Sequence, residues 1–193
     1  YQDGAIVQGE LDGLLALEPD LCQFLIYGPT PGTPFFERTL KDGLLRRGLS
    51  EDRELYYKSC DGFSAMVEHP KLSAQTIEAL QRHCFREDFE RLGPSIYRSM
   101  GTWLKGHRTL ARSASPLLQR KSERFARDLR RAYPVFLAGR LFGPGRAARA
   151  RIGQLQCDVH AAIGRPSLPE RLRSLVAAGL ALWTAFTLRF GLF

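Results

Sequence analysis

The sequence is poor in cysteine and has no long uncharged segment. Its four cysteines, Cys22, Cys60, Cys84 and Cys157, are widely spaced among 193 residues, which excludes the dense disulfide framework of small secreted domains. The two longest runs without a charged residue, residues 21–36 and 174–188, are both shorter than the ~18 to 20 residues that a bilayer-spanning helix requires. No secretory leader is recognisable. We therefore expect a cytoplasmic, globular protein.

Acidic residues are scarce in the second half of the chain. Residues 94–193 contain 18 basic and 4 acidic side chains, whereas residues 1–93 contain 10 basic and 16 acidic ones. A basic half suggests an anionic partner, such as nucleic acid, phospholipid headgroups or an acidic neighbouring domain. An arginine-rich solvated surface explains the same charge, since 16 of these 18 basic residues are arginine.

The first fifty residues predict a helix, a strand, a loop and a second helix. Apolar residues recur at helical spacing from Ile6 to Leu15, and the apolar run 21–27 then predicts a strand buried on both faces. Residues 28–32, Gly-Pro-Thr-Pro-Gly, predict a turn, and Thr33 followed by Pro34 predicts the start of the next helix.

A strand buried on both faces is typical of a parallel sheet, whose strands are joined by crossover helices. The only other extended candidate is residues 55–67, where Asp61-Gly62 would turn a hairpin between Tyr56-Tyr57 and residues 63–67. This hairpin does not supply parallel neighbours. We therefore expect the other strands of the sheet to lie upstream of Tyr1, in a longer polypeptide.

From Ser73 onward the apolar spacing is helical. Ser73 predicts the cap of a helix that ends at Gly93-Pro94. Further apolar stripes predict three helices within residues 96–110, 118–129 and 152–163, and a last apolar helix from about residue 169 to residue 190.

The loop after the predicted strand is the strongest candidate for a binding site. Active sites of (β/α) barrels and open α/β sheets lie at the C-terminal ends of their strands. The hydroxyls of Thr30 and Thr33 and the close approach permitted by Gly32 suit a carboxylate, a ribose or a phosphate. A tight turn that uses proline and glycine only for geometry is the alternative interpretation.

This region resembles a known enzyme family. Residues 23–34, Gln-Phe-Leu-Ile-Tyr-Gly-Pro-Thr-Pro-Gly-Thr-Pro, with Asp61-Gly62-Phe63 and residues 69–73 after them, resemble the sixth strand and following region of radical S-adenosylmethionine enzymes that carry an N-terminal cobalamin-binding domain. Residues 92–106 are similar to the helical C-terminal extension of that group, so the resemblance covers roughly residues 1–145. The family's cluster motif, C-x3-C-x2-C, is absent from this sequence.

The resemblance implies a mainly α chain with a small α/β part. Residues 1–50 would be the C-terminal end of a partial (β/α)6 radical-SAM barrel, residues 51–72 an extended linker, and residues 73–193 a helical C-terminal extension. The parent enzyme would use S-adenosylmethionine, a [4Fe–4S] cluster and cobalamin for methyl transfer or radical rearrangement of a small-molecule or lipid-like substrate. The upstream barrel and the cobalamin domain would be the partners of this chain, which would be inactive alone and would hold neither the cluster nor the cobalamin.

By the same resemblance, five residues are candidate neighbours of the cofactor or substrate: Gln23, Tyr27, Thr30, Gly32 and Thr33. Gln23 and Tyr27 lie on one side of the predicted strand, because side chains alternate with a period of two. A buried amide bonded to the backbone explains Gln23 equally well. No catalytic residue and no metal ligand is predicted.

A zinc site is a further hypothesis. Cys157 and His160 share a face of a predicted helix, and His83-Cys84 would complete a four-ligand set. No second closely spaced pair on a turn supports it, and cysteine often occupies a core as a small apolar residue.

Two surfaces of the basic half have a functional and a structural interpretation. Four arginines, spaced four, three and four residues apart, form one row: Arg120, Arg124, Arg127 and Arg131. The row suits phosphates, but a solvated face or docking onto the acidic half is favoured, and nucleic acid is not expected.

The last apolar helix, flanked by Arg171, Arg173 and Arg189, suits either peripheral contact with a membrane or burial in a helical bundle. The alternative to an enzyme fragment is therefore a free-standing basic helical module that associates with an anionic membrane surface or nucleic acid.

Overall fold

The computed structural model describes residues 3–191. Within them the chain forms nine α-helices: α1 (Gly4–Ala16), α2 (Pro34–Lys41), α3 (Arg53–Ser59), α4 (Ala74–Leu92), α5 (Ser95–Leu110), α6 (Pro116–Ala132), α7 (Val135–Phe142), α8 (Gly145–Ile163) and α9 (Leu168–Phe190). Helix accounts for 69% of the structure and strand for 1%, which confirms the mainly α prediction. The chain divides into two compact units between Asp88 and Phe89.

Unit 1, which precedes this division, begins with the two predicted helices. The Asp3 carboxylate accepts hydrogen bonds from the main chain at the start of α1, and Thr33 caps α2 with Pro34 at its first position. A small core of Leu49, Tyr56 and Met66 holds the following loops together.

Residues 21–27, predicted as a strand buried on both faces, form no strand within the described chain and are covered on one side only. The segment is extended, but the described chain contains no strand beside it, and its one β-bridge joins Leu45 and Val67. Burial alternates along the segment, so Leu21, Leu25 and Tyr27 are exposed instead of buried on both faces. Its inner side packs on α4, and its outer side faces solvent because no other element in the described residues covers it.

The hairpin predicted within residues 55–67 is wrong, and the linker predicted over residues 51–72 is not extended throughout, because it contains a helix. Residues 53–59 are helix α3, which begins where the Asp52 carboxylate accepts the Leu55 N–H at 3.0 Å. After the helix, Asp61 accepts the Phe63 and Ser64 N–H groups at 2.7 and 2.8 Å. These local bonds favour a helix and a turn over the strand pairing that the aromatic residues suggested.

Unit 2 follows the helical prediction closely. Helices α5, α6, α8 and α9 contain the expected stripes, and the core is built from one side chain cluster: Met100, Leu104, Leu129, Tyr133, Phe136, Ile152 and Val159. Helix α7 was not predicted. Its eight residues between Pro134 and Gly143 are too few for a helical period to stand out.

Candidate functional site

A cleft of about 460 Å³ lies beside the extended segment in unit 1. It is lined by α1, the segment itself, the loop before α4 and the first half of α4: Val7, Gln23, Phe24, Leu25, Ile26, Tyr27, His69, Leu72, Ile77, Leu80, Gln81 and Cys84. Aliphatic and aromatic side chains predominate, and polar groups are few. Such a lining is typical of a site for a largely apolar ligand.

The Gln81 side chain of α4 holds the segment in place. Its Nε2 donates to the carbonyls of Phe24 and Gly62 at 2.8 and 2.7 Å. The Gly62 carbonyl also accepts the Ile26 N–H at 2.8 Å, so one amide and one turn position the inner edge of the segment. The prediction overlooked Gln81, although a polar residue four positions after Ile77 interrupts the apolar face of α4.

The glycine and proline that end the segment are in close contact with the core of unit 1. A Cβ atom at Gly28 would lie 2.9 Å from the Met66 Sδ, so the close approach requires glycine. The buried Tyr56 hydroxyl donates to the Pro29 carbonyl, and burial raises the pKa of Tyr56. Packing therefore accounts for both residues.

Two of the five predicted site residues reach the cleft. Gln23 and Tyr27 both line it, on the outer side of the segment, as the period of two predicts. The Tyr27 ring lies 5.1 Å from that of Phe35 and is 69% exposed. The two side chains flank Leu25 and remain the candidates for ligand contact.

Thr30, Gly32 and Thr33 do not line this cleft. The Thr33 hydroxyl donates to the Thr30 carbonyl at 2.7 Å and accepts the Phe36 N–H at 3.3 Å. Gly32 has φ of +83°, which glycine adopts without strain. The turn and the helix cap account for the three residues, and the adjacent Pro31 lines a separate cavity of about 290 Å³.

The cleft contains one imidazole and one thiol. The His69 Nδ1 accepts the N–H groups of Lys71 and Leu72 at 3.2 and 3.1 Å, so the neutral ring carries its proton on Nε2. Burial raises the pKa of the Cys84 thiol, which keeps it protonated and a poor nucleophile near neutral pH. Binding is better supported than covalent chemistry.

The zinc hypothesis gains no support from the described residues, among which no group of three or more potential ligands comes together. The His160 Nε2 lies 2.7 Å from the Tyr133 hydroxyl, and burial lowers the pKa of His160. The His83 Nε2 lies 2.8 Å from the Gln8 Oε1. Both histidines thus have protein partners within their own unit.

The arginine row lies on the exposed face of α6. All four side chains, Arg120, Arg124, Arg127 and Arg131, are exposed, and Arg131 lies 3.6 Å from the Asp128 carboxylate one turn earlier. A solvated basic face, one of the two predicted interpretations, accounts for this arrangement.

None of the helices in residues 3–191 is long and apolar enough to cross a membrane. Comparison of the chain with models of known protein families, with curated proteins and with solved structures finds no significant match.

Proposed function

We propose that this chain is the C-terminal part of a radical S-adenosylmethionine enzyme of the cobalamin-binding-domain subgroup. In this role residues 21–27 add to the edge of the upstream barrel as its last strand, and the helices of unit 2 form the helical extension. The proposal rests on the sequence resemblance of residues 23–34 and on one structural observation, the uncovered outer side of the extended segment.

The outer side of the segment is an exposed apolar surface, as expected of a surface that another part of a protein covers. Leu21, Leu25 and Tyr27 are 72%, 54% and 69% exposed, and they lie in line on a backbone that Gln81 holds extended. An extended segment with apolar, uncovered side chains on its outer side is typical of a strand whose second face is buried by another part of a larger protein. Burial of these side chains would contribute about 25 cal/mol for each Å² of apolar surface removed from water.

The cofactors of the proposed enzyme follow from the resemblance alone. Within residues 3–191 no three potential metal ligands come together, and the proposal assigns no cluster ligand to this chain. In the proposed enzyme, Gln23 and Tyr27, which both line the cleft, would contact the nucleoside part of S-adenosylmethionine or the substrate. The cluster and cobalamin would be held by the upstream part of the polypeptide, and no chemical step is assigned to residues of this chain.

The first test is the coding frame upstream of Tyr1. We expect it to continue through roughly one barrel's length and to encode three cysteines spaced C-x3-C-x2-C. A start codon directly before Tyr1, with no such motif, would overturn the proposal.

The second test uses the full-length protein that this frame encodes. Leu25→Asp places a charge on the face of the segment that the proposed barrel would bury, so it should lower the yield of soluble, iron-loaded enzyme and its turnover of S-adenosylmethionine at least tenfold. Leu17→Asp is the matched control, because Leu17 is 78% exposed at the end of α1 and should tolerate the change. Equal loss in both variants would reject the role of the segment as a strand.

A further inference from the structure

Helix α9 is oriented with its large apolar side chains toward solvent. Six of them are between 47% and 64% exposed and fall on one side of the helix at 100° per residue. We call this row the outer stripe: Leu172, Leu175, Val176, Trp183, Phe186 and Phe190. The rings of Trp183 and Phe186 stack at 6.3 Å, and those of Phe186 and Phe190 lie 4.6 Å apart.

The opposite side of α9 makes the contact with the rest of unit 2. Over residues 174–181 it consists of small side chains, with Ser174 buried and Ala177, Ala178 and Ala181 half-buried, while nearer the C-terminal end only Thr187 is buried. Helix α9 packs on α7. Burial of the small side and exposure of the large apolar side is the reverse of an ordinary surface helix. The stripe extends over five helical turns, so it is a continuous apolar surface of the kind that marks an interaction site.

The edges of the outer stripe are cationic. Arg171 and Arg189 lie five turns apart on one edge, Arg173 lies on the other, and all three side chains are exposed. The one acidic residue of α9, Glu170, is engaged by the Ser167 N–H at 2.7 Å and lies 3.6 Å from Arg130. The exposed surface of the helix is therefore apolar at its centre and positively charged at both sides.

We propose that the outer stripe of α9 binds an anionic membrane surface, with the helix axis parallel to the bilayer. An apolar face that enters the boundary between headgroups and acyl chains, flanked by arginines that reach the phosphates, is the arrangement of an interfacial helix. Charge complementarity favours this occupant over a second copy of the chain, because two stripes that met face to face would bring six arginines together. The proposal is independent of the enzyme proposed above.

The test uses the full chain with Trp103→Phe, which leaves Trp183 as the only tryptophan. Vesicles of phosphatidylcholine with phosphatidylglycerol should shift the Trp183 emission to the blue and allow its quenching by brominated acyl chains, whereas phosphatidylcholine alone should give little change. Sedimentation of the unaltered chain with the same vesicles is the parallel measurement. Binding should weaken as salt is raised.

Substitutions separate the stripe from the general basicity of unit 2. Leu175→Ser with Phe186→Ser should weaken binding at least tenfold, while Leu188→Ser, an exposed leucine on the side of α9 away from the stripe, should change it less than twofold. Each of Arg171→Gln, Arg173→Gln and Arg189→Gln should weaken binding about fivefold. Arg124→Gln on α6 should leave the Trp183 shift intact.

Four results would overturn the proposal. The first is an unshifted Trp183 emission in the presence of anionic vesicles, and the second is an equal loss of vesicle binding in Leu188→Ser and in the double stripe variant. The third is a loss of binding with Arg124→Gln but not with the α9 arginine variants. The fourth is a lipid-free dimer in ultracentrifugation that the double stripe variant converts to monomer. The last result would assign the stripe to a second copy of the chain. Circular dichroism of each variant establishes that its helices are retained.

Discussion

Removal of the Gln81 amide should release the extended segment without unfolding unit 2. The side chain is 7% exposed and donates to the carbonyls of Phe24 and Gly62. In Gln81→Ala the Gly62 carbonyl keeps the Ile26 N–H as a donor, but the Phe24 carbonyl loses the amide. The two carbonyls are thus unequally affected.

The expected loss of stability follows from this difference. An acceptor left without a donor in a partly buried position costs about 1 to 2 kcal/mol, and the loss of the second, redundant bond costs less than about 1 kcal/mol. We therefore expect Gln81→Ala to lower the free energy of unfolding of unit 1 by about 2 kcal/mol. Gln23→Ala, on the exposed side of the same segment, should change it by less than about 0.5 kcal/mol.

Hydrogen exchange read by mass spectrometry, combined with urea unfolding, measures both effects. Peptides that contain Ile26 should exchange faster in Gln81→Ala, and peptides from α5 and α8 should be unchanged. Gln81→Glu adds a second criterion, because an ionised carboxylate facing two carbonyls has a raised pKa in the folded state. Its folded state should be more stable below pH ~4, where the carboxyl is protonated, and should lose stability as pH rises. Equal exchange in Gln81→Ala and Gln23→Ala would refute the role assigned to the amide.

Three further predictions concern unit 2. Gly139→Ala would make a Cβ atom overlap the hydroxyl end of the Tyr97 side chain and should cost about 2 kcal/mol or more. Gly179→Ala, with nothing within 4 Å, should stabilise by up to about 1 kcal/mol, and urea midpoints that move together would contradict this pair of predictions. Hydrogen bonds lower the pKa of Glu170, so its contribution should be present at neutral pH, decline as pH falls below about 4.5, and vanish in Glu170→Gln. Burial lowers the pKa of His160, so thermal stability should fall as pH drops below about 6.5, and His160→Gln should flatten that slope.

Local signals predicted the helices well. Thr33-Pro34 and Gly93-Pro94 mark helix ends through bonds and φ angles that involve only a few neighbouring residues, and α2, α4 and α5 begin or end there. The same reasoning failed at residues 21–27, because an apolar run has the same composition whether one side or both sides are covered. It failed at Tyr56 because the Asp52 cap, not aromatic β-propensity, determines the local conformation.

Only some residues of the candidate cleft could be predicted from the sequence. Gln23 and Tyr27 were placed on one side by the period of a strand, which an extended segment shares. The bond from Gln81 to Phe24 joins residues 57 positions apart, and no local pattern specifies such a pair. For α9, the sequence contains a small side and a large apolar side, and only its packing on α7 determines which of them meets solvent.

The chain has two methionines, and they are buried in different units. Met66 is 1% exposed in unit 1 and Met100 is completely buried in the core of unit 2. An oxidant converts methionine to a larger, polar sulfoxide and reaches a buried thioether mainly when the surrounding structure opens. The rates at which peroxide oxidises Met66 and Met100 therefore record the opening of the two units separately, within one sample and without any label.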